Sequence, residues 1–132
     1  MVWIRCKPVT FGSGHNKPNL PERKERDAIK NVIESYDPNQ KFSEDVRLSI
    51  KIKIYLEIKR TNHKKWNDLD NFIKPIIDVL HEECKLFEYE SQIFHIDVEK
   101  RVVKTGDEEG IDLEVKKYTP QKDSSGQDSQ IA

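Results

Sequence analysis

Trp66-Asn-Asp-Leu-Asp-Asn-Phe-Ile-Lys-Pro-Ile-Ile-Asp-Val-Leu80 sets two carboxylates one residue apart, a lysine four residues after the second and another carboxylate four beyond that. At 100° per residue, a helix starting near Asp70 carries Asp70, Asn71, Lys74 and Asp78 on one face, continued by His81 and Lys85. Phe72, Ile73, Ile76, Ile77, Leu80 and Cys84 fall on the other, so the segment reads as an amphipathic helix packed on a core. Its polar face has two readings: a solvated surface laced by i, i+4 pairs, or a site. Pro75 bears on the choice, because a proline is comfortable only in the first turn of a helix. It draws the expected start toward Asn71 or Phe72 and leaves Asp68 and Asp70 at the entrance, where a loop can turn both to one point. In a continuous helix the two would lie about 200° apart.

Working outward, Val46 to Ile58 alternates strictly, with Val46, Leu48, Ile50, Ile52, Ile54, Leu56 and Ile58 on one face and Arg47, Ser49, Lys51, Lys53, Tyr55, Glu57 and Lys59 on the other. This period of two predicts a strand buried on one side. A polar turn, Thr61 to Asn67, connects it to the helix. Beyond the helix, Phe94, Ile96 and Val98 alternate with His95, Asp97 and Glu99, and Ile111, Leu113 and Val115 with Asp112 and Glu114. These predict two antiparallel strands joined across Gly106 to Gly110. Toward the N-terminus, Val2 to Cys6 reads as a strand, Gly12 to Pro21 as a loop, and Glu22 to Tyr36 as a helix ended by Asp37-Pro38. The fold class expected is α+β: a mixed or antiparallel sheet of about four strands packed against two helices. The domain is expected over 1–118, with a disordered tail over 119–132 that has almost nothing to bury.

With 35% hydrophobic and 36% charged residues, the 132-residue chain must concentrate its apolar side chains on few faces to fold, and it suits one domain. No apolar run is long enough to span a bilayer, and Met-Val-Trp-Ile-Arg-Cys-Lys lacks a signal peptide's apolar stretch; a cytoplasmic, DNA-associated protein is expected. Cys6 and Cys84 form no CxxC pair and suit reduced structural thiols, and the four histidines show no metal-ligand spacing. The net charge of −1 excludes a protein that coats nucleic acid by bulk charge, but its distribution is uneven. Residues 51–74 carry seven lysines and arginines against three carboxylates, while 105–132 carry three against seven. Lys51, Lys53, Lys59, Arg60, Lys64 and Lys65 form either a solvated face or a phosphate track leading into the carboxylate cluster.

Magnesium takes hard oxygen ligands from two or three carboxylates and keeps several waters. Asp68 and Asp70 supply two, and Glu88 or Glu90 in Phe87-Glu-Tyr-Glu-Ser-Gln-Ile93 can supply a third, with Lys74 in reach to offset charge on a phosphate. An EF-hand is excluded: counting from Asp68, Phe72 and Ile73 stand where an oxygen ligand and a glycine are needed.

Asp68-Leu-Asp70-Asn71, then Lys74, Asp78 and Leu80, then Glu90-Ser91-Gln92-Ile93 heading a strand, resembles the signature of the RusA family of Holliday junction resolvases, in order and spacing over roughly Val46 to Val103. The resemblance implies a Mg²⁺-dependent endodeoxyribonuclease, with Mn²⁺ as a substitute, that resolves four-way DNA junctions as a homodimer. By position it implies Asp68, Asp70 and Glu90 as metal ligands, Lys74 in cleavage, and Asn71 and Asp78 in support. Two other readings compete. Asp45 with Glu57 and Lys59 imitates a restriction-type nuclease site, and a noncatalytic DNA-binding or phage-associated regulatory protein could keep the same fold.

Overall fold

The strongest strand pattern occupies the middle of the molecule. In the computed structural model, which describes residues 1–9, 20–37, 39–61 and 69–120, β2 runs Leu48–Glu57 and alternates buried and half-buried residues along its whole length. Leu48, Ile50, Ile52 and Ile54 are fully buried and Leu56 nearly so. Each such side chain is worth about 1.5–3 kcal/mol of transfer free energy, which makes β2 the spine of the fold.

Around it lie β1 (Val2–Arg5), β3 (Ile93–Val103) and β4 (Gly110–Lys117), in the order β1-β4-β2-β3. β4 pairs antiparallel with both β1 and β2, and β3 pairs parallel with β2. The sheet is therefore mixed, as expected, but the hairpin predicted across Gly106 to Gly110 does not form. β2 separates the two strands. The reason is burial: β2 has an apolar face along ten residues and needs partners on both edges, whereas a β3–β4 hairpin would leave one edge open. The Gly106–Glu108 turn of 3₁₀ helix carries the chain across the end of β2 instead, and Glu109 accepts the Glu57 N–H at 2.8 Å. Gly110 is required at the start of β4, since a β-carbon there would collide with the Trp3 ring and lie 2.7 Å from the Ile4 carbonyl oxygen.

Helices α1 (Leu20–Tyr36) and α2 (Leu69–Asp78) cover the apolar face of the sheet, α1 through Ile29 and Ile33 and α2 through Phe72, Ile76 and Ile77. α2 begins earlier than the proline suggested and carries Pro75 inside it. Lacking an N–H, Pro75 leaves the Asn71 carbonyl without its helical donor. From Val79 to Glu83 the helix widens into a π turn, in which the Cys84 N–H bonds the Val79 carbonyl at 2.9 Å. Lys85, at a φ of 52°, then closes it in the left-handed conformation, and the Leu86 N–H reaches back to Leu80 at 3.0 Å. Among the described residues no helix is long and apolar enough to cross a membrane. Asp68, the 62–67 part of the expected turn, most of the N-terminal loop and residues 121–132 lie outside the described residues.

Candidate active site

β2 delivers the chain through a 3₁₀ turn, Ile58–Thr61, toward the first turn of α2. There Asp70 and Asn71 are exposed, one helical turn before the exposed Lys74. A helix N-terminus presents free N–H groups and the positive end of its dipole, so an acid here is stabilised and a phosphate is attracted. Lys74 is tethered: its Nζ lies 3.7 Å from Oδ1 of Asp78. Asp78 is buried, and its other oxygen lies 3.8 Å from the Arg26 guanidinium of α1, which also donates to Glu83 at 3.2 Å. The i, i+4 pairing expected of a bland polar face thus exists, and it runs inward from an exposed lysine to a half-buried arginine. Arg26 was missed by the sequence reading because the partner that singles it out lies on another helix.

Glu90 occupies the opposite end of the helix. It heads the short 3₁₀ turn Glu90–Gln92 before β3 and faces His81, with Oε1 3.8 Å from Nδ1. His81 Nε2 sits 2.8 Å from the Glu88 carbonyl oxygen, which can only accept, so Nε2 carries the hydrogen and Nδ1 is turned to Glu90. The imidazole stacks on Phe87, 5.3 Å between centroids. Beneath them the buried Gln92 accepts from the Glu88 and Tyr89 N–H groups at 3.0 and 2.9 Å and donates to the Ser43 and Val46 carbonyls at 2.9 and 3.0 Å. Gln92 sets where Glu88 and Glu90 stand. Only its place in Ser91-Gln92 hinted at this; its four partners come from two loops.

The positions of Asp70 and Glu90 decide what one subunit can do. His81 is eleven residues beyond Asp70, roughly 15 Å along the helix axis, and Glu90 is beside His81. Two oxygens on one magnesium are about 3 Å apart, at metal–oxygen distances near 2.1 Å. Asp70 and Glu90 of the same subunit therefore cannot share an ion. Among the described residues no cluster of three acidic, histidine or cysteine side chains could hold a metal. The donor chemistry of Asp70 and Glu90 suits magnesium; their separation within a subunit does not.

The basic residues divide. Lys51 and Lys53 stand on the uncovered face of the sheet, each between carboxylate-bearing neighbours: Glu114 and Asp97 flank Lys51, and Asp112 and Glu99 flank Lys53. That face alternates charge and gives a phosphate backbone no continuous positive path. Lys59 is exposed in the 3₁₀ turn nearer α2. The Arg60 side chain, Lys64 and Lys65 lie outside what is described. The restriction-type alternative is overturned, because Asp45 precedes β2 and Glu57 ends it, about 30 Å apart at the rise of a strand. Lys59, moreover, is not on the strand.

Neither cysteine is bonded. Burial, then the nearby Glu34 and Glu83, pushes the Cys84 thiol up to about 11, so it is a protonated packing group rather than a nucleophile.

A mixed four-stranded sheet with two helices on one face and an acidic, lysine-bearing helix entrance defines a nuclease-like α+β domain. The family described as Endodeoxyribonuclease RusA matches residues 20–116, and the chain belongs to that family, whose members act on branched DNA junctions. The match spans α1 through β4 and includes Asp70, Lys74, Asp78 and Glu90. A search of curated proteins finds no match.

Proposed function

We propose that this protein is a magnesium-dependent endonuclease, with manganese able to substitute, that resolves four-way DNA junctions in recombination and repair. It works as a homodimer at the DNA of the cytoplasm. The observation that carries the reading is the exposed Asp70 and Lys74 at the entrance of α2, backed by the buried Asp78, within a chain of this family. Asp68 and Asp70 offer the metal two oxygens. Bound there, the ion would supply a lowered pKa for its water and neutralise charge on the scissile phosphate. Lys74, held over Asp78, presents its ammonium to the same phosphate, and the helix N-terminus adds its dipole. Hydrolysis forms one bond from water oxygen to phosphorus and breaks one from phosphorus to a sugar oxygen. A phosphomonoester and a hydroxyl result.

The long separation of Asp70 and Glu90 gives the dimer a chemical purpose: Glu90 completes the site of the other subunit. Two sites formed in this way across a two-fold axis would each need both chains, and paired cuts on opposite strands follow. The exposed Lys59, with Arg60, Lys64 and Lys65, approaches the DNA at the α2 entrance, so binding falls with added salt.

The test is cleavage of a synthetic four-way junction with and without Mg²⁺. Folded wild-type protein that leaves the junction intact across metals and pH would sink the enzyme reading in favour of a noncatalytic binder. Mixed dimers of Asp70→Asn and Glu90→Gln chains examine the shared site. If Glu90 serves the other subunit, a mixed dimer retains one intact site and nicks a single strand, whereas either parent is inert. If the ligands come from one chain, the mixture is as inert as its parents. Loss of activity in Glu88→Gln with activity kept in Glu90→Gln would move the third ligand to Glu88.

A further inference from the structure

The two edges of the sheet are unequal. β1 is four residues long, whereas β3 offers eleven residues whose outer edge no described strand pairs. Exposed edges of this length are normally blunted, because their free N–H and C=O groups template pairing with another chain. On β3, Ile96 and Val102 lie on the helix-bearing face, opposite Ile50 and Leu56, yet remain 41% and 56% exposed, since nothing described reaches over the margin. On the uncovered face stand Asp97, Glu99 and Arg101, with Arg101 Nε 3.1 Å from Glu99.

We propose that this edge pairs antiparallel with the same edge of a second copy, centred on Glu99, making one eight-stranded sheet. The register follows from the strand itself. A bulge falls between Leu48 and Ser49 on β2, which sets Phe94 out of the ladder, so the regular part of β3 runs from His95 to Val103. Glu99 is its midpoint. Pairing about that midpoint sets each Asp97 against the partner's Arg101 and each Ile96 against the partner's Val102, joining opposite charges on one face and covering the exposed apolar pair on the other. The stem of Lys100 then lies opposite Val98. Glu99 meets its own copy, and the Arg101 already bonded to each offsets that repulsion.

The arrangement rests on the dimeric reading above and gives it a surface. Antiparallel pairing lays the start of β3, which Glu90 precedes, against the end of the partner's β3. That is the end where the partner's β2 passes into the 3₁₀ turn and α2. No other edge of this sheet would carry Glu90 there, since β1 is at the far side of two strands.

Sedimentation of the full chain and oxidative cross-linking test it together. Glu99→Cys should give a covalent dimer under mild oxidation, because residues at the centre of an antiparallel pair have Cα atoms about 4.5–5.5 Å apart, within disulfide reach. Asp97→Cys, which faces Arg101 rather than itself, should cross-link at least tenfold less, and wild-type protein sets the background from Cys6 and Cys84. The double variant Ile96→Lys/Val102→Lys, at exposed positions, should sediment as a monomer with an unchanged circular dichroism spectrum. A dimer that survives both lysines and leaves Glu99→Cys uncross-linked overturns this surface while the dimeric reading stands. A wild-type monomer at tens of micromolar overturns both, and junction cleavage by that monomer would retain the nuclease alone.

Discussion

The two ends of the α2 helix carry similar side chains and are built in opposite ways. At the entrance, Asp70, Asn71 and Lys74 are exposed. At the exit, Gln92 makes four hydrogen bonds, His81 stacks on Phe87, and Arg26 ties α1 to both Asp78 and Glu83. Polar groups with satisfied partners fix a fold, whereas those kept open to solvent are available for a ligand. Acidic residues at the two ends therefore differ in what their loss should do. Glu90 belongs to both worlds, half-exposed yet positioned by the Gln92 clamp.

The comparison breaks most easily at Asp70. Asp70→Asn should lower junction cleavage at least ~10²-fold while leaving the urea midpoint and junction binding unchanged, since the side chain holds nothing in the fold. A shifted midpoint would make the entrance structural after all. Gln92→Leu should do the reverse in kind. It strands two N–H groups and two carbonyls and should cost about 3 kcal/mol in urea unfolding, with catalysis per folded molecule reduced only as far as Glu90 moves. A variant of unchanged stability would remove the clamp from the account.

Asp78→Asn sits between these extremes, keeping shape but giving up its charge toward both Arg26 and Lys74. It should cost about 2 kcal/mol, because a half-buried guanidinium loses its partner, and should lower cleavage about tenfold by freeing Lys74. Equal loss in Lys74→Ala and in the double variant would show that Asp78 acts through the lysine.

The smallest effect lies at the exit and depends on pH. Cys84 is raised from 9.0 to about 11 by burial, so between those values the unfolded chain loses its thiol proton first. Its contribution is complete below pH 9 and is lost as pH rises toward 11. Thermal stability should therefore fall more steeply over that window in wild-type protein than in Cys84→Ala. Parallel curves would show that the exit is not closed around the thiol.

Much of this was legible from residue spacing. Alternation along Leu48–Glu57 and the stripe from Phe72 to Leu80 predicted a strand and a helix that form nearly as expected, because period and burial are both local. The sheet order was not legible. β3 and β4 each alternate well enough to pair with any apolar-faced strand, and only the need to cover both edges of β2 places it between them. The same limit applied to the site: spacing identified Asp70, Lys74, Asp78 and Glu90 as the residues to examine, but could not measure the helix lying between the first and the last.

Sequence by itself determined the family, the elements and the chemistry of the candidate residues, since those depend on side-chain type and on separation along one chain. Tertiary structure decided which residues meet. It set Arg26 against Asp78, Glu90 against His81, acidic neighbours beside Lys51 and Lys53, and Asp70 a helix length from Glu90. Those facts depend on how elements pack across the core, and contacts between residues distant in sequence are set by the balance of burial over the whole sheet rather than by any local pattern.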